Sequence, residues 1–224
     1  MRIILLIIAF ASASFSVSAS AGEWIADART QCRAWNPNPL PNESIEWSGP
    51  CSDGKANGIG VLQWYKGGIP HDRFEGDYLN GHMHGKGIYI FSNGNRYEGD
   101  YLNGHKHGKG IYIFNGNRYE GDFRAGNAHG KGILTAPNGS RYEGDFFDGK
   151  MHGKGLLTYP DGGDHRYEGD FFYNKRHGKG IYIVPNGNRY EGDFFGDKLH
   201  GKGKFFFPDG NSREVEFFDQ KEIK

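Results

Sequence analysis

The sequence predicts an all-β protein, an elongated single-layer antiparallel β-meander of hairpin repeats with a short N-terminal cap, and three observations lead to it. Glycine accounts for 37 of the 224 residues, more than twice the usual share of about 7%. Aromatic residues make up 15% of the chain, which favours packing over disorder. From Gly49 onward no glycine-free stretch is long enough for a sizeable helix. The glycine spacing therefore indicates an array of short strands and turns.

The charge balance excludes one class of partner. The 27 Lys and Arg residues equal the 27 Asp and Glu residues in number, so the formal net charge is zero. Proteins that bind nucleic acids or anionic membranes usually carry a clustered basic excess. We therefore expect no nucleic-acid partner, and membrane lipid is disfavoured because each repeat lysine has an acidic neighbour.

The first 21 residues have the pattern of an export signal. A positive start at Arg2 is followed by an unbroken apolar run over residues 3–10 and by an A-x-A cleavage site at residues 19–21. Cleavage after Ala19 is the close alternative, and an uncleaved anchor fits less well because the apolar run is short for a membrane span. The pattern predicts a signal peptide over residues 1–21 and an exported protein, periplasmic or secreted. The form of the signal suggests a bacterial source.

Cys32 and Cys51 are the only cysteines, and export would place them in a compartment that permits disulfides. A bond between them would close a loop of about 20 residues and stabilise the fold by about 3 kcal/mol. We predict this disulfide, with two free thiols as the alternative.

Residues 22–46 differ in composition from the rest of the chain and are predicted to cap the first edge of the sheet, as terminal units of repeat arrays require. Apolar residues recur at near-helical spacing from Trp24 to Trp35, which predicts a short helix over Glu23 to Trp35. A proline-rich stretch follows and runs extended to the first strand of the array.

A hexapeptide defines the repeat in the remainder of the chain. Arg-Tyr-Glu-Gly-Asp followed by Phe or Tyr begins at Arg96, Arg118, Arg141, Arg166 and Arg189, with a near copy at Arg73. Each copy is followed by His-Gly-Lys-Gly, which begins at His84, His107, His129, His152, His177 and His200. The motif glutamates lie 22 to 25 residues apart. Self-similarity at this period is typical of a repeat array, which we place over residues 47–218, with a C-terminal tail over residues 219–224.

Each unit resembles the MORN repeat, whose pattern is a tyrosine followed by four glycines at fixed spacing and then a short apolar strand. One unit fills it with Tyr97, Gly99, Gly104, Gly108 and Gly110. The resemblance covers about seven repeats and implies a scaffold or interaction module without catalytic activity. Asn174 and Asp197 depart from the pattern because they replace the middle glycine of two units. We expect them to alter one loop each without breaking the array.

The hexapeptide also predicts a register. Period-two alternation places the tyrosine and glycine on one strand face and the acidic residues on the other. Pairing Tyr78 with Gly85 sets Gly76 opposite Gly87 and Asp77 opposite Lys86, an attractive cross-strand pair.

The loops between hairpins predict the pairing of the next strands. The three-residue loop Ser92-Asn93-Gly94 sets Tyr89 opposite Tyr97, and the two-residue loop Asn115-Gly116 sets Tyr112 opposite Tyr119. Two loop lengths therefore preserve one register.

Three patterns resemble chemical sites, and each has a simpler explanation. Equivalent histidines lie two strands apart, about 10 Å, too far to share a zinc ion, so we expect them in the hairpin loops, bonding locally or covering a ring. The carboxylates of Glu98 and Asp100 have a spacing that glycoside hydrolases use, but the pair recurs in every unit beside a lysine, so we expect surface ion pairs. Gly-Lys-Gly lacks the rest of a phosphate loop. We predict no cofactor, no metal and no enzymatic activity.

The sequence thus predicts an exported scaffold for protein–protein interaction, with an unknown protein partner or a second copy of the chain. The expected interaction surface is one line of aromatic rings: Phe74, Tyr97, Tyr119, Tyr142, Tyr167 and Tyr190. Two alternatives remain open, namely a carbohydrate module that binds envelope polysaccharide on these rings and a weak association with membrane lipid. A purely structural role, in which the rings shield glycine-rich backbone, also stays open.

Overall fold

The computed structural model describes residues 22–161, 164–218 and 221–223, so the predicted signal peptide lies outside the described residues. These residues form strands and turns that divide into two compact regions, residues 22–127 and 128–223. The described part of the chain holds no helix long and apolar enough to span a membrane.

The first region contains a small sheet and a hairpin meander. Its strands are β1 (Glu23–Ala26), β2 (Arg33–Asn36), β3 (Glu43–Trp47), β4 (Cys51–Ser52), β5 (Lys55–Ala56), β6 (Gly58–Lys66), β7 (Ile69–Leu79), β8 (His82–Ile90), β9 (Arg96–Leu102), β10 (His105–Phe114) and β11 (Asn117–Arg124). The small sheet has the order β1-β2-β5-β4, and the meander has the order β3-β6-β7-β8-β9-β10-β11.

The second region continues the same hairpin pattern. Its strands are β12 (Asn127–Thr135), β13 (Arg141–Phe147), β14 (Lys150–Thr158), β15 (Arg166–Phe172), β16 (Lys175–Ile183), β17 (Arg189–Phe195), β18 (Lys198–Phe206), β19 (Ser212–Phe218) and β20 (Lys221–Glu222). Each strand pairs antiparallel with the next. The all-β antiparallel meander predicted from the repeats is confirmed in both regions.

The helix predicted over Glu23 to Trp35 is wrong, because this segment forms the β1–β2 hairpin. Trp24 lies directly opposite Trp35, and the two rings meet edge to face at 5.4 Å. The Asp27 carboxylate accepts hydrogen bonds from the backbone N–H groups of Arg29 and Thr30, which closes a tight turn between the strands. The spacing that suggested a helix therefore comes from one face of a strand, a turn and a second strand.

The predicted glycine register is confirmed, but the predicted pairing beside it is wrong. Gly76 lies opposite Gly87 as expected, whereas Tyr78 pairs with Met83 and not with Gly85, and Asp77 pairs with His84 and not with Lys86. The difference is a β-bulge: Gly85 has a φ of +56°, and the carboxylate of Asp77 accepts the Lys86 N–H at 3.1 Å. The aspartate of the hexapeptide thus replaces a backbone acceptor that the bulge removes from the ladder.

The two loop predictions are confirmed. Tyr89 pairs with Tyr97, and Tyr112 pairs with Tyr119. The repeat histidines, in contrast, lie within strands beside the bulges and not in the hairpin loops, as His84 shows by its pairing with Asp77.

The turns within hairpins explain the departures from the glycine pattern. The turn of β9–β10 places Asn103 and Gly104 at φ of +49° and +84°, as expected for a type I′ turn. Asn174 and Asp197 occupy the glycine position of two later turns with φ of +70° and +73°. Their strands continue unbroken, in agreement with the expectation that only a loop is altered.

Candidate interaction surfaces

The aromatic line predicted as an interaction surface is buried. Phe74, Tyr97, Tyr119 and Tyr167 are 0% exposed, Tyr142 is 1% exposed and Tyr190 is 2% exposed. The Tyr97 hydroxyl donates a hydrogen bond to the backbone carbonyl of Asp100 at 3.0 Å, and the hydroxyls of Tyr119, Tyr142, Tyr167 and Tyr190 bond in the same way to the aspartate three residues later. Burial raises the pKa of these phenols, to about 12 at Tyr190.

Each buried ring lies over a pair of facing glycines. A Cβ added at Gly99 would lie 2.5 Å from the carbonyl oxygen of Lys109 and 2.6 Å from the Tyr97 hydroxyl. Side chains at these positions are therefore excluded by sterics. A role of the rings in binding stays a prediction, and in this structure a partner would reach them only by displacing the residues that cover them.

On the opposite face of the sheet, the glycines of the first region form the floor of an open groove of about 940 Å³. The floor, which crosses β7 to β11, consists of Gly76, Gly87, Gly99, Gly110 and Gly121. The walls are isoleucines and charged residues: Ile59, Ile88, Ile111, Glu75, Glu98, Glu120, Lys86 and Lys109. We call this feature the glycine groove.

The charges along the glycine groove neutralise one another. Lys86 pairs with Asp100 across the strands at 2.5 Å, and Arg96 pairs with Glu98 along its own strand at 2.7 Å. The Asp100 carboxylate accepts hydrogen bonds from the Lys86 side chain and from the Lys109 backbone N–H. These bonds hold the pKa of Asp100 below its usual range, although burial by itself would raise it. Asp100 and Glu98 thus have the environment of surface ion pairs, the first with Lys86 and the second with Arg96.

The second region carries a row of rings on its outer face. Phenyl and imidazole rings alternate along it, with centroid distances of 5.0–5.8 Å between neighbours. Its members are His129, Phe147, His152, Phe172, His177, Phe195, His200 and Phe218. The four phenylalanines are 46%, 51%, 61% and 66% exposed in chain order. We call this feature the phenyl–imidazole row.

The family of the chain follows from its repeats. The MORN-repeat family profile matches seven segments, residues 52–69, 74–96, 97–117, 119–141, 142–164, 167–189 and 190–212. Together they cover more than half of the chain. The chain belongs to the MORN-repeat family. MORN repeats generally build non-catalytic scaffolds, which often interact with proteins or lipids.

No curated protein matches the chain. Among solved structures, one similar chain is the TCP domain of SAS-4 (dCPAP) from Drosophila melanogaster, in complex with a proline-rich motif of Ana2 (dSTIL). It is 13% identical, has a TM-score of 0.42, and the match covers 81% of this chain and 96% of that domain.

Within the MORN array, the sequence did not reveal the phenyl–imidazole row. The sequence predicts that the repeat histidines bond locally or cover a ring, and four of them contact rings. It does not predict the exposed phenylalanines that follow the hexapeptide. Their signal is a second Phe after Arg-Tyr-Glu-Gly-Asp-Phe, present at Phe147, Phe172 and Phe195. The first region has Leu79, Leu102 and Arg124 at this position.

Cys32 and Cys51 lie at disulfide distance, with Cα atoms 5.8 Å apart. Cys32 is 1% exposed and follows the turn between β1 and β2, while Cys51 begins β4. A bond between them would tie the turn before β2 to β4 within the small sheet of the MORN chain. Such a pair is typical of an oxidising compartment. No group of three or more potential metal ligands occurs among the described residues.

Proposed function

We propose that this MORN-repeat protein is an exported, non-catalytic scaffold that binds an extended segment of a partner protein in the glycine groove. The observation that carries the proposal is the groove itself: an open channel with a backbone floor and isoleucine walls in residues 59–121. Export rests on the predicted signal peptide and on the cysteine pair at disulfide distance.

The dimensions of the glycine groove suit an extended chain. Its floor crosses four strand spacings from Gly76 to Gly121, which is about 19 Å at 4.8 Å per strand. A segment of about six residues in extended conformation has this length. The floor carries no side chains on this face, so a ligand backbone can approach the sheet closely.

The chemistry of the walls favours a peptide over the other ligand classes. Ile88 and Ile111 offer aliphatic surface, as the centres of protein interfaces do. The paired charges beside them leave no basic excess for a polyanion. The residues that line the groove include no aromatic ring on which a sugar could stack. The buried Tyr97 supports the floor from the inner face, where it lies against Gly99 and Gly110.

A displayed library of random linear peptides, selected on the immobilised full chain, tests the proposal. Selected peptides should bind the Ile88→Ala/Ile111→Ala variant at least about tenfold more weakly, because central apolar contacts dominate such interfaces. The matched control is Ile90→Ala/Ile113→Ala: both isoleucines lie two residues further along the same strands and are 40% exposed. Affinity should be unchanged in this control.

Two outcomes would contradict the proposal. One is a selection that enriches no peptide over the carrier surface. The other is a set of peptides that bind both double variants as tightly as the parent chain. Thermal unfolding of each variant shows that the comparison is made between folded proteins.

A further inference from the structure

A second surface with different chemistry lies in residues 128–223. Phe147, Phe172, Phe195 and Phe218 occupy the same position in four successive hairpins and expose about half of each ring or more. Because equivalent strands lie two spacings apart, the phenyl rings repeat about every 10 Å. The imidazoles between them contact both neighbouring rings, as His177 does with Phe172 at 5.6 Å and with Phe195 at 5.0 Å. The row is therefore a regular series of half-exposed phenyl rings.

A lysine lies directly opposite each phenylalanine of the row. The cross-strand pairs are Phe147–Lys150, Phe172–Lys175, Phe195–Lys198 and Phe218–Lys221. The acidic residues nearby are largely neutralised: Asp145, Asp170 and Asp193 pair with lysines of the preceding hairpins at 2.6 Å. Asp197 pairs with Arg176 at 3.4 Å, and Asp148 lies in one of the turns. Lysines thus recur along the row at the same spacing as the phenyl rings.

Tyr173 lies beside the phenyl–imidazole row and has a strained backbone conformation. It has a φ of +47° in a turn where the other hairpins use Asn80, Asn103, Ala125, Asp148 or Gly196. A bulky side chain at positive φ is an outlier that a purely structural role does not favour. Its ring is 41% exposed, contacts Phe172 at 4.7 Å and lies 4.9 Å from the Lys150 ammonium group.

We propose that the phenyl–imidazole row and its lysines bind an acidic polysaccharide, a polymer of sugars with carboxylate groups. The C–H groups on one face of a sugar ring carry partial positive charge and meet the negative face of a phenyl ring. The lysines bind the carboxylates between stacked sugars. A repeat of about 10 Å suits an extended polymer that contacts successive hairpins, and weak contacts add up through multivalency. This site is separate from the glycine groove and takes a different class of ligand.

The test uses the purified full chain and polygalacturonate as the probe, in affinity electrophoresis and titration calorimetry. We expect binding that weakens with added salt, because the lysine contacts are screened. The Phe172→Leu/Phe195→Leu variant should bind about tenfold more weakly. Leucine keeps the apolar character of the position, as in the first region, but removes the ring. The matched control, Leu79→Ala/Leu102→Ala at the equivalent positions, should bind as the parent does.

Two further variants test the charge and the strain. Lys150→Gln/Lys175→Gln should weaken binding and reduce its dependence on salt. Tyr173→Asn should raise the melting temperature, because asparagine tolerates positive φ, and at the same time lower the affinity for polygalacturonate. An affinity that is unchanged in the stabilised Tyr173→Asn protein would overturn the role given to this ring.

Other probes separate the ligand classes. Neutral dextran should not bind, and equal affinity for dextran and polygalacturonate would overturn the acidic part of the proposal. Vesicles of phosphatidylcholine with phosphatidylglycerol test a lipid surface instead: binding to vesicles that persists in Phe172→Leu/Phe195→Leu, without retention by polygalacturonate, would overturn the proposal in favour of a membrane. The peptide selection on the glycine groove is independent of all these results.

Discussion

The two regions of the molecule share one backbone pattern and differ in the side chains that this pattern leaves free. Gly99 faces Gly110 in the first region, and Gly144 faces Gly155 in the second, each pair beneath a buried tyrosine. At the hairpin ends, however, the first region pairs Leu79 with a histidine, whereas the second pairs exposed phenylalanines with lysines. The shared residues are fixed by steric demands of the sheet. Differences in function between the two regions must therefore come from the residues that vary.

The largest loss of stability is expected from substitutions at the facing glycines, which the two regions share. Gly99→Val and Gly144→Val should each lower the free energy of unfolding by more than about 4 kcal/mol, because a Cβ at either position would lie 2.5 Å from a backbone carbonyl oxygen and 2.6 Å from a tyrosine hydroxyl. Lys109→Ala serves as the control, since an exposed ion pair contributes only about 0–1 kcal/mol. Chemical denaturation of the three variants measures the difference. A clearly smaller loss at one glycine would show that the two regions are not packed alike.

The pairing of these glycines could be predicted from the sequence, whereas the bulges beside them could not. The repeat period, the strand pairs such as Gly87–Gly99, and the two loop lengths follow from residue spacing alone. The bulge at Gly85 does not, because it depends on the Asp77 carboxylate taking the place of a backbone acceptor. The pairing Asp77–Lys86 was therefore wrong, and the lysine meets Asp100 of the next strand instead.

The candidate surfaces were less predictable for a related reason. Alternation places Tyr97 and Gly99 on one face of a strand but does not say whether a ring lies flat over the glycines or extends to solvent. Only the packing, with Tyr97 0% exposed, answers that. The sequence predicts a helix over Glu23 to Trp35 because a strand, the connection of residues 27–32 and a second strand match the helix period over a short distance.

The next largest loss of stability is expected from removal of the cysteine pair, which lies in the first region. Alkylation of the unreduced protein followed by intact mass should detect no free thiol at Cys32 or Cys51. Cys32→Ser/Cys51→Ser should lower the stability of the small sheet by about 3 kcal/mol. Hydrogen exchange should show the loss in β1, β2, β4 and β5, while amides of the second region keep their protection. Two free thiols in the parent protein would contradict the disulfide.

On the inner face, equivalent positions hold a lysine in the first region and an arginine in the second, and we expect their substitution to change stability in opposite directions. The Lys106 ammonium group lies 4.1 Å from the Tyr112 ring, and burial lowers its pKa to about 8. Arg176 occupies the equivalent position and pairs with Asp197, whose backbone N–H bonds to the Arg176 carbonyl oxygen. Gly126 makes that backbone bond to Lys106 and has no carboxylate. The buried cation is thus compensated in the second region by an acid that the first region lacks.

Matched substitutions to methionine test this contrast, since Met83 and Met151 occupy the same position in other hairpins. Arg176→Met should destabilise the protein by about 2 kcal/mol, because it removes charged hydrogen bonds from a buried site. Lys106→Met should stabilise it by about 1–2 kcal/mol at pH 7, a gain limited by the lost cation–π contacts. The folded pKa of Lys106 lies below the unfolded value, so the charged form opposes folding and this gain should shrink as the pH rises above about 8. Equal signs for the two substitutions would refute the contrast.

The smallest effect is acid sensitivity confined to the first region. Asp27 is 1% exposed, and its carboxylate accepts the Trp47 N–H at 2.8 Å. Burial alone would raise the pKa of Asp27, but the N–H groups of Trp47, Arg29 and Thr30 outweigh it and hold the pKa below the ordinary 3.8. A lowered folded pKa contributes stability above the unfolded pKa, and this contribution is lost as the pH falls through the folded value. Melting curves between pH 6 and pH 2 should therefore converge for the parent and Asp27→Asn at the acid end, with the parent more stable above about pH 4. A constant gap between the two proteins across this range would mean that the Asp27 charge does not hold the turn between β1 and β2.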